Sequence, residues 1–386
     1  MRHDTLTLLG LTFLGASASP TFTPSCSDVA FDIPVVSNNV AFASPPDPNN
    51  TADIVEFMRA IWGGATPATN GTLTISDTFT IRGTYCRPRP GNGTARSPPK
   101  GLQILVHGIT YNKTMWAGEG FPSYDWHAFA AARGYATLAL DRLGHGANPQ
   151  RPDPLAVVQP QLQIDLIHAI VAAARDPSDV LHSVLGDGDS PATAFSKIVV
   201  VGHSYGSYLG AALAAQHPAD ADALVLTGYS GYLDFTDVIE ADWVSAGVWR
   251  PDRFGADLPK GYVTMSNPAQ RAAAFFAGGY DADIPPVDFE GEDTLTVGEI
   301  GALGAILGDA VGYVGDVLVV TAVEDAFFCE PPLEKCEEHL RQTATSFPDA
   351  KSYDYFAPTN TGHDLTLHHS AADTAERIHD WLDEKL

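Results

Sequence analysis

Residues 197–215 read KIVVVGHSYGSYLGAALAA. An apolar, β-branched run comes first, the pentapeptide Gly202-His203-Ser204-Tyr205-Gly206 stands in the middle, and a run of small residues follows. Gly-x-Ser-x-Gly between a strand and a helix is typical of a nucleophile elbow, a strained turn that projects the serine hydroxyl above the edge of a sheet. The two glycines remove Cβ atoms that would otherwise clash in this turn. The pattern therefore predicts a nucleophilic Ser204.

Further strands and helices alternate on both sides of this stretch. Short runs predict strands at residues 102–106, 135–140, 223–227, 317–321 and 352–356, and the apolar run at 102–106 is expected to be buried. Helical patterns fall at residues 125–133, 161–175 and 372–386. This alternation indicates a mostly parallel α/β sheet. The ligand site of such a sheet is expected at the carboxyl ends of its strands.

The N-terminal part predicts a leader followed by an arm. Met1-Arg2-His3, a mostly apolar stretch over residues 6–15 and Ala16-Ser17-Ala18 form the pattern of a secretory signal peptide over residues 1–18. Residues 19–70 are rich in Pro, Asn and Ser, and we interpret them as an N-terminal arm with one helical stretch near residues 53–62. The main domain is expected over residues 71–386. It begins with two alternating runs, 72–75 and 79–85, that predict a β-hairpin.

Sequons and cysteines agree with secretion to the extracellular space. Asn-x-Ser/Thr acceptor sites for glycosylation occur at Asn49, Asn70, Asn92 and Asn112. The four cysteines are an even count that allows three pairings. We favour a disulfide between Cys26 and Cys86, which would staple the N-terminal segment to an early strand. The second disulfide would then join Cys329 to Cys336 around a small loop.

Composition excludes several classes of partner. The chain has 386 residues and a formal net charge of −25, without clustered lysines and arginines. Phosphate contacts need such clusters, so nucleic-acid binding is not expected. The apolar leader is too short to span a bilayer. No cofactor or metal is expected. A metal role of His107 is disfavoured, because no carboxylate or second histidine stands at ligand spacing from it.

Residues from about 231 to 314 interrupt the alternation of strands and helices. They contain no clear strand but many aromatic residues, including Trp243, Trp249, Phe275 and Tyr280. An insertion at this point would sit above the strand ends, and apolar residues commonly line pockets and lids there. We therefore expect a lid; the alternative is a helical decoration without substrate contact.

A serine hydroxyl needs a base, and the base needs an acid that orients it. Asp325 follows the strand at 317–321 and is the expected acid, with Glu324 and Asp234 as rivals. His363 stands in a Gly-His turn after the last strand and is the expected base. The rival bases, His368 and His369, are expected at the surface.

Two backbone N–H groups are needed to stabilise an oxyanion. One is expected from Tyr205, directly after the nucleophile, and the other from Ile109 in the loop that follows the strand at 102–106. His107 is expected to support this loop by hydrogen bonding. Thr110 fits either a side-chain donor or a structural residue.

These features together resemble the α/β-hydrolase family over nearly all of the mature chain. The resemblance implies an α/β-hydrolase fold, with a mostly parallel central sheet flanked by helices and a helical lid insertion. Residues 107–116 and 141–144 are further similar to a secreted fungal branch of the family. In Asp141-Arg142-Leu143-Gly144 we favour a structural Arg–Asp pair over a brace for the rim of the site.

The expected function is that of a secreted serine hydrolase. It would cleave a carboxylic ester of an apolar or aromatic small molecule through an acyl-enzyme. The alternatives are a peptidase or amidase, an acyltransferase or lactonase, and a non-catalytic binding protein on the same fold. Epoxide hydrolase chemistry is disfavoured, because those relatives generally place a carboxylate where this chain has Ser204. The sequence does not predict the substrate's identity or the oligomeric state.

Overall fold

The computed structural model describes residues 22–90, 98–179, 181–185 and 194–386 of the chain. In these ranges the strands are β1 Phe22–Phe42, β2 Thr69–Pro90, β3 Leu102–Val106, β4 Ala136–Leu140, β5 Ile198–His203, β6 Ala223–Thr227, β7 Trp243–Ser245, β8 Tyr262–Met265, β9 Leu295–Thr296, β10 Asp316–Val320 and β11 Ser352–Phe356. The α-helices are α1 Thr51–Trp62, α2 Trp126–Ala132, α3 Pro160–Arg175, α4 Leu181–Leu185, α5 Tyr205–Gln216, α6 Thr236–Glu240, α7 Ala246–Trp249, α8 Pro251–Phe254, α9 Pro268–Phe275, α10 Ile284–Gly291, α11 Val297–Gly301, α12 Leu333–Thr343 and α13 Ala371–Lys385. Short 3₁₀ helices span Lys113–Gly120, Pro122–Tyr124, Leu303–Ile306, Ala344–Ser346 and Leu365–Leu367.

Eight of the strands form a central sheet in the order β1-β2-β4-β3-β5-β6-β10-β11. From β4 to β11 the neighbours run parallel, whereas β2 pairs antiparallel with both β1 and β4. Parallel strands need cover on both faces, and every residue of β3, β5 and β6 is buried. The predicted fold, a mostly parallel sheet flanked by helices, is confirmed.

Alternate residues of β5 pack into two separate cores. Val200 belongs to the core that contains Leu162 of α3 and Leu209 of α5. Val201 belongs to the core that contains Met58 of α1 and Ile378 of α13. Successive strand side chains point to opposite faces, so an uninterrupted apolar run is what a strand buried on both faces requires. Burying one such side chain contributes about 1.5–3 kcal/mol.

The predicted β-hairpin is wrong. β2 is one strand of 22 residues, and its partner over almost the whole length is β1, from the segment interpreted as an arm. Residues 76–78, where a turn was expected, continue the ladder opposite residues 34–36. Pro34 fits in β1 because β1 is an edge strand, where a missing N–H costs little. The predicted helix near residues 53–62 corresponds to α1.

The segment between β6 and β10 contains α6 to α11 and a second, antiparallel sheet in the order β7-β8-β9. The expectation that this segment has no strand is therefore wrong. Its strands are only two to four residues long, which is too short to give a recognisable alternation of apolar and polar residues.

Both disulfides have the pairing favoured from the sequence. Cys26 and Cys86 are directly opposite in the β1–β2 ladder, and Cys329 is joined to Cys336 of α12. Among the described residues, no helix is long and apolar enough to cross a membrane. Residues 1–18, the predicted leader, lie outside the described ranges.

The four predicted glycosylation sites differ in their surroundings. Asn49 and Asn70 are exposed. Asn112 is half-buried; its side chain accepts from Thr114 N at 2.9 Å and donates to Asp293 at 3.3 Å. Asn92 lies outside the described ranges.

Candidate active site

Ser204 occupies the turn between β5 and α5. Its backbone has φ 55° and ψ −118°, a conformation that a non-glycine residue rarely adopts and that is typical of a strained functional turn. A Cβ on Gly206 would lie 2.0 Å from Val106 O, and one on Gly202 would lie 2.5 Å from the main chain of Gly206. Both glycines are therefore required by close backbone approach, as the sequence predicts. The Ser204 side chain is nearly buried, with 8% of the residue exposed.

Asp325 and His363 follow β10 and β11 and meet in space. His363 Nδ1 lies 2.8 Å from Asp325 Oδ2. Asp325 Oδ1 accepts from the N–H groups of Phe327 at 2.9 Å and Phe328 at 3.0 Å. Three donors thus fix a fully buried carboxylate, and this assigns the proton of the neutral imidazole to Nδ1. His363 Nε2 is left available to accept a proton.

The rival acids bind other groups. Glu324 accepts from Thr361 N at 3.1 Å, and Asp234 accepts from Thr236 N at 2.8 Å. Among the three candidates, only Asp325 has a hydrogen bond to His363 within the described residues.

Of the rival bases, His369 is largely exposed and lies 3.0 Å from Asp281. The expectation that His368 is a surface residue is wrong, because it is fully buried. Its Nε2 accepts from Gly362 N at 3.0 Å and Ala277 N at 3.4 Å, while its Nδ1 bonds Asp364 O at 2.7 Å. Burial lowers the pKa of His368 to about 4. His368 is thus a neutral link between the insertion and the His363 turn.

Three phenylalanines surround His363, and we refer to Phe275, Phe327 and Phe328 as the aromatic cage. Their ring centroids lie 5.7, 4.6 and 5.5 Å from the imidazole. Only 1% of His363 is exposed, and its Nε2 has no hydrogen-bond partner among the described residues. The Ser204–His363 hydrogen bond of a complete triad is thus not formed in this structure, as happens before substrate binds. The sequence signal for the cage was the Phe327-Phe328 pair two residues after the acid.

The loop after β3 packs on the nucleophile. A Cβ on Gly108 would lie 3.1 Å from Ser204 Cβ. The N–H groups of Ile109 and Tyr205 donate to no acceptor in the part of the chain that the structure describes. His107 supports this loop, as expected: its Nδ1 bonds Gly108 O at 2.8 Å, and its Nε2 accepts from Arg142 N at 3.0 Å. Burial and the Arg142 charge hold the pKa of His107 well below its usual value, which agrees with a neutral ring.

Arg142 has a different partner from the one expected. Asp141 accepts from Lys113 N at 3.0 Å and Ala147 N at 2.9 Å, whereas the Arg142 guanidinium pairs with Glu299 of α11. The Arg–Asp pair predicted within this motif is therefore wrong. The Asp141 carboxylate is occupied by these two main-chain N–H groups. The longer Arg142 side chain reaches Glu299, a carboxylate of the insertion.

Arg142, Glu299, His145 and Asp293 form what we term the Arg142 cluster. Burial opposes ionisation of Glu299, but Arg142 and His145 outweigh it and hold the pKa of this carboxyl far below its usual value. Burial likewise opposes protonation of His145, but Glu299 and Asp293 outweigh it and raise the pKa of the imidazole. Arg142 is thus paired with a carboxylate that stays ionised.

A second buried arginine reaches the same loop from the insertion. Arg271 of α9 binds Asp288 of α10 through Nε at 2.6 Å and Nη2 at 2.9 Å, and it donates to Thr110 Oγ1 at 2.8 Å. Its guanidinium lies 4.8 Å from the ring centroids of Tyr111 and of Phe275 in the aromatic cage. Thr110 has φ 56°, so a strained residue is held by this bond. Sequence analysis did not identify Arg271.

Three further carboxyl groups lie around this arginine. We term Arg271, Asp288, Glu292, Glu119 and Asp364 the Arg271 cluster. Burial, more than any neighbouring charge, raises the pKa of Glu292 to about 7, of Glu119 to about 8 and of Asp364 to about 6. Both carboxyl oxygens of Glu292 lack a hydrogen-bond partner within the described residues. Four carboxyl groups therefore surround one arginine in this cluster, and three of them have raised pKa values.

The insertion is joined directly to the turn that bears His363. Gly278 forms a β-bridge with Thr361, and Asp364 N donates to Phe275 O at 3.0 Å. Gly279 N donates to Asn360 O at 2.8 Å. The insertion thus lies against the catalytic candidates, where a lid is expected.

One group of metal-ligating side chains occurs among the described residues, formed by His168, His217 and Asp220. The two imidazoles are stacked, with centroids 3.8 Å apart and planes inclined by 13°. A bound ion lies close to the plane of each ligating ring, so this parallel stack would have to open before both rings could bind one ion. His217 follows the far end of α5, remote from Ser204.

Comparison with protein-family profiles identifies the family of this chain. A profile of the alpha/beta hydrolase family matches residues 103–377, well over half of the chain. The chain therefore belongs to the alpha/beta hydrolase family. No curated protein sequence matches it.

Similar solved structures include a monoacylglycerol lipase from Paleococcus ferrophilus, at 13% identity over 75% of this chain and 96% of that chain, with a TM-score of 0.49. A thermophilic esterase from Thermogutta terrifontis has 15% identity over 79% and 94%, with a TM-score of 0.47. An epoxide hydrolase from Vigna radiata has 9% identity over 79% and 95%, with a TM-score of 0.49. Sequence identities this low do not assign the activity of any of these proteins to this chain.

Proposed function

We propose that this protein is a serine hydrolase that cleaves carboxylic esters through a covalent acyl-enzyme. The observation that carries the proposal is the buried Asp325–His363 pair at 2.8 Å together with a serine held at φ 55° between β5 and α5. The His363 ring lies 4.8 Å, centroid to centroid, from the ring of His203, the residue before this serine. A nucleophile, a base and an orienting acid in this chain order are the parts of a Ser-His-Asp triad.

In the proposed reaction Ser204 Oγ attacks the acyl carbon, and its proton passes to His363 Nε2. The N–H groups of Tyr205 and Ile109 stabilise the oxyanion. His363 then protonates the leaving alcohol while the acyl group remains on Ser204. Water, activated by the same imidazole, releases the acid and restores the serine. Asp325 holds the Nδ1 proton and stabilises the imidazolium in both steps.

The surroundings of His363 favour an apolar or aromatic small-molecule substrate. The aromatic cage lies against the imidazole, and apolar walls with few polar groups are typical of small-molecule sites. Ser204 is 8% exposed, so admission of an ester requires some part of this cover to move. We propose that the insertion at about 231–314 is the lid, because it supplies Phe275 of the cage.

We further propose that the protein is secreted and glycosylated. The leader pattern at residues 1–18, the exposed sequons at Asn49 and Asn70, and two disulfides all agree with an oxidising, extracellular environment. Membership of a secreted fungal branch of the family stays a prediction from the motifs at 107–116 and 141–144. The intact mass of the secreted form, before and after removal of N-glycans, tests cleavage and glycosylation together.

The test of the proposed function is hydrolysis of p-nitrophenyl esters of increasing acyl length by wild type and Ser204→Ala. We expect kcat to fall on the order of 10⁶-fold in Ser204→Ala if the three residues act as a unit. Ser207→Ala is the matched control, since Ser207 is on the same helix but its hydroxyl donates to Thr227 O. A Ser204→Ala protein that retains most of the activity would contradict the assignment. Faster cleavage of matched amides, or transfer of the acyl group to added alcohols in preference to water, would favour the amidase or acyltransferase alternative.

A further inference from the structure

The two expected oxyanion donors are on separate elements, and one side chain contacts both elements. Arg142 Nη2 donates to Gly108 O at 3.0 Å, and Arg142 Nε donates to His107 O at 3.1 Å. The same guanidinium lies 4.6 Å from the ring centroid of Tyr205. Arg142 therefore spans the loop after β3 and the start of α5.

The contact with Gly108 O bears directly on the donor of Ile109. Gly108 C=O and Ile109 N–H belong to one planar trans peptide, in which the carbonyl and the N–H point in opposite directions. A donor that fixes the direction of Gly108 O thus fixes the direction of Ile109 N–H. A positive donor also polarises this peptide and strengthens its N–H as a donor. Gly108 lies against Ser204, so the fixed N–H is next to the nucleophile.

Arg142 is itself held on its remaining sides. Its Nη1 donates to Gln163 Oε1 at 3.0 Å and also binds Glu299. Glu299 Oε1 accepts from Gln163 Nε2 at 2.8 Å and bonds His145 Nε2 at 3.1 Å, while its Oε2 accepts from Thr296 N at 2.8 Å. Arg142 is 5% exposed and Glu299 is fully buried. Few alternative positions are open to the guanidinium, because every neighbour that holds it is itself hydrogen-bonded.

We propose that Arg142 is a positioning residue for the oxyanion hole. Together with His107 Nδ1, which lies 2.8 Å from the same oxygen, it orients Ile109 N–H through the Gly108 carbonyl. Its guanidinium also packs on the Tyr205 ring, and Glu299 balances its charge. This proposal rests on the proposed function and adds to it a residue that does not touch the substrate. Its role is specific to the transition state, because the oxyanion develops only there.

The test compares Arg142→Lys with Arg175→Lys on the same p-nitrophenyl ester. Lysine keeps the positive charge but cannot present the planar fork that binds two carbonyls and a carboxylate. Arg175 is the matched control, since it binds Asp222 at 2.8 Å and Asp220 O at 2.7 Å away from the loop after β3. We expect Arg142→Lys to lower kcat by about 10- to 100-fold, below the ~10²–10³-fold of a deleted oxyanion donor. KM should change by less than about threefold, since ground-state binding is untouched.

A second readout separates positioning from general loss of structure. A thionoester develops charge on sulfur, which accepts hydrogen bonds more weakly than oxygen, so an intact oxyanion hole favours the oxoester. We expect the oxoester-to-thionoester ratio of kcat/KM to fall by about the same factor as kcat in Arg142→Lys and to stay at the wild-type value in Arg175→Lys. A variant that is only less stable, with an intact oxyanion hole in its folded fraction, would cleave both esters more slowly by the same factor. Its ratio would stay unchanged.

If Arg142→Lys does not fold, Glu299→Gln is measured in its place with the same two esters. It keeps the shape of the side chain but removes the charge that holds Arg142, so kcat and the ratio should both fall. If the folded variant has the wild-type kcat and the wild-type oxoester-to-thionoester ratio, the positioning role is wrong. A wild type without any ester hydrolysis overturns the proposed function instead, so the two failures are distinguishable.

Discussion

Two buried arginines bind the loop after β3 at different residues, Arg142 at His107 and Gly108 and Arg271 at Thr110, and their surroundings differ in charge balance. The Arg142 cluster pairs its cations with carboxylates, and the pKa of Glu299 is held far below its usual value. The Arg271 cluster places one arginine among four carboxyl groups, and burial raises the pKa of Glu292 to about 7. The comparison indicates that Glu299 of the first cluster stays ionised across the neutral range, whereas Glu292 of the second cluster titrates there, in the same cluster as Arg271, which contacts Phe275 of the aromatic cage.

The largest effect is expected from removal of the cation of the second cluster. Arg271→Met leaves the buried Asp288 without the partner that it binds at 2.6 and 2.9 Å. Breaking a buried pair from one side costs about 3–5 kcal/mol of unfolding free energy. Urea unfolding at pH 8 measures this loss. The double variant Arg271→Met/Asp288→Leu should recover much of it, and a double variant no more stable than the single one would contradict the pairing account.

A smaller effect of opposite sign is expected from Glu292→Gln. The raised pKa, about 7 against an ordinary 4.5, means that the folded state keeps a proton that the unfolded chain has already released. The contribution of Glu292 to the free energy of unfolding should therefore be fully present below about pH 4.5 and be lost as the pH rises through about 7. The variant avoids this fall, so at pH 8 it should be more stable than wild type by up to about 3 kcal/mol.

Urea unfolding of wild type and Glu292→Gln from pH 4 to pH 8 checks this prediction. The control is Glu56→Gln on the exposed surface of α1, expected to stay within about 0.5 kcal/mol at every pH. If the free energy of unfolding has the same pH dependence in wild type and Glu292→Gln, Glu292 is already ionised in the folded protein over this range. That result would contradict the proposed difference between the two clusters.

The smallest effect is expected from Glu119→Gln at the rim of the Arg271 cluster. Burial and then Asp288 raise the pKa of Glu119 to about 8, so the same sign applies: stability is lost as the pH rises to about 8. Glu119 is only half-buried and bonds Thr114 Oγ1 at 3.1 Å, so the gain at pH 9 should be below about 1 kcal/mol. Thermal unfolding at pH 6 and pH 9 measures it. A gain as large as that of Glu292→Gln would contradict the ranking by burial.

Much of the fold and the catalytic candidates could be predicted because their signals are local. The run Ile198–His203 and the glycines around Ser204 define a strand and a turn within a few residues. Asp325 and His363 were predicted from their offsets after two late strands, and they meet because parallel strands end at one edge of a sheet.

The two arginine clusters could not be predicted, because their partners are distant in the sequence. Arg142 and Glu299 are 157 residues apart, and Arg271 and Thr110 are 161 apart. A charged residue in an insertion is typical of a solvated surface until tertiary packing buries it. The pairing of β1 with β2 was missed for a related reason: β1 carries prolines and polar residues, which only an edge position allows.

The central claim is that Ser204 is an activated nucleophile, and fluorophosphonate labelling of the purified protein tests it most directly. Peptide mass spectrometry should place the label on Ser204 alone, and Ser204→Ala and His363→Ala should both lose it. Each variant is shown to be folded by circular dichroism before labelling. Absence of label on folded wild type, or label on another residue, would contradict the account and favour a binding protein on this fold.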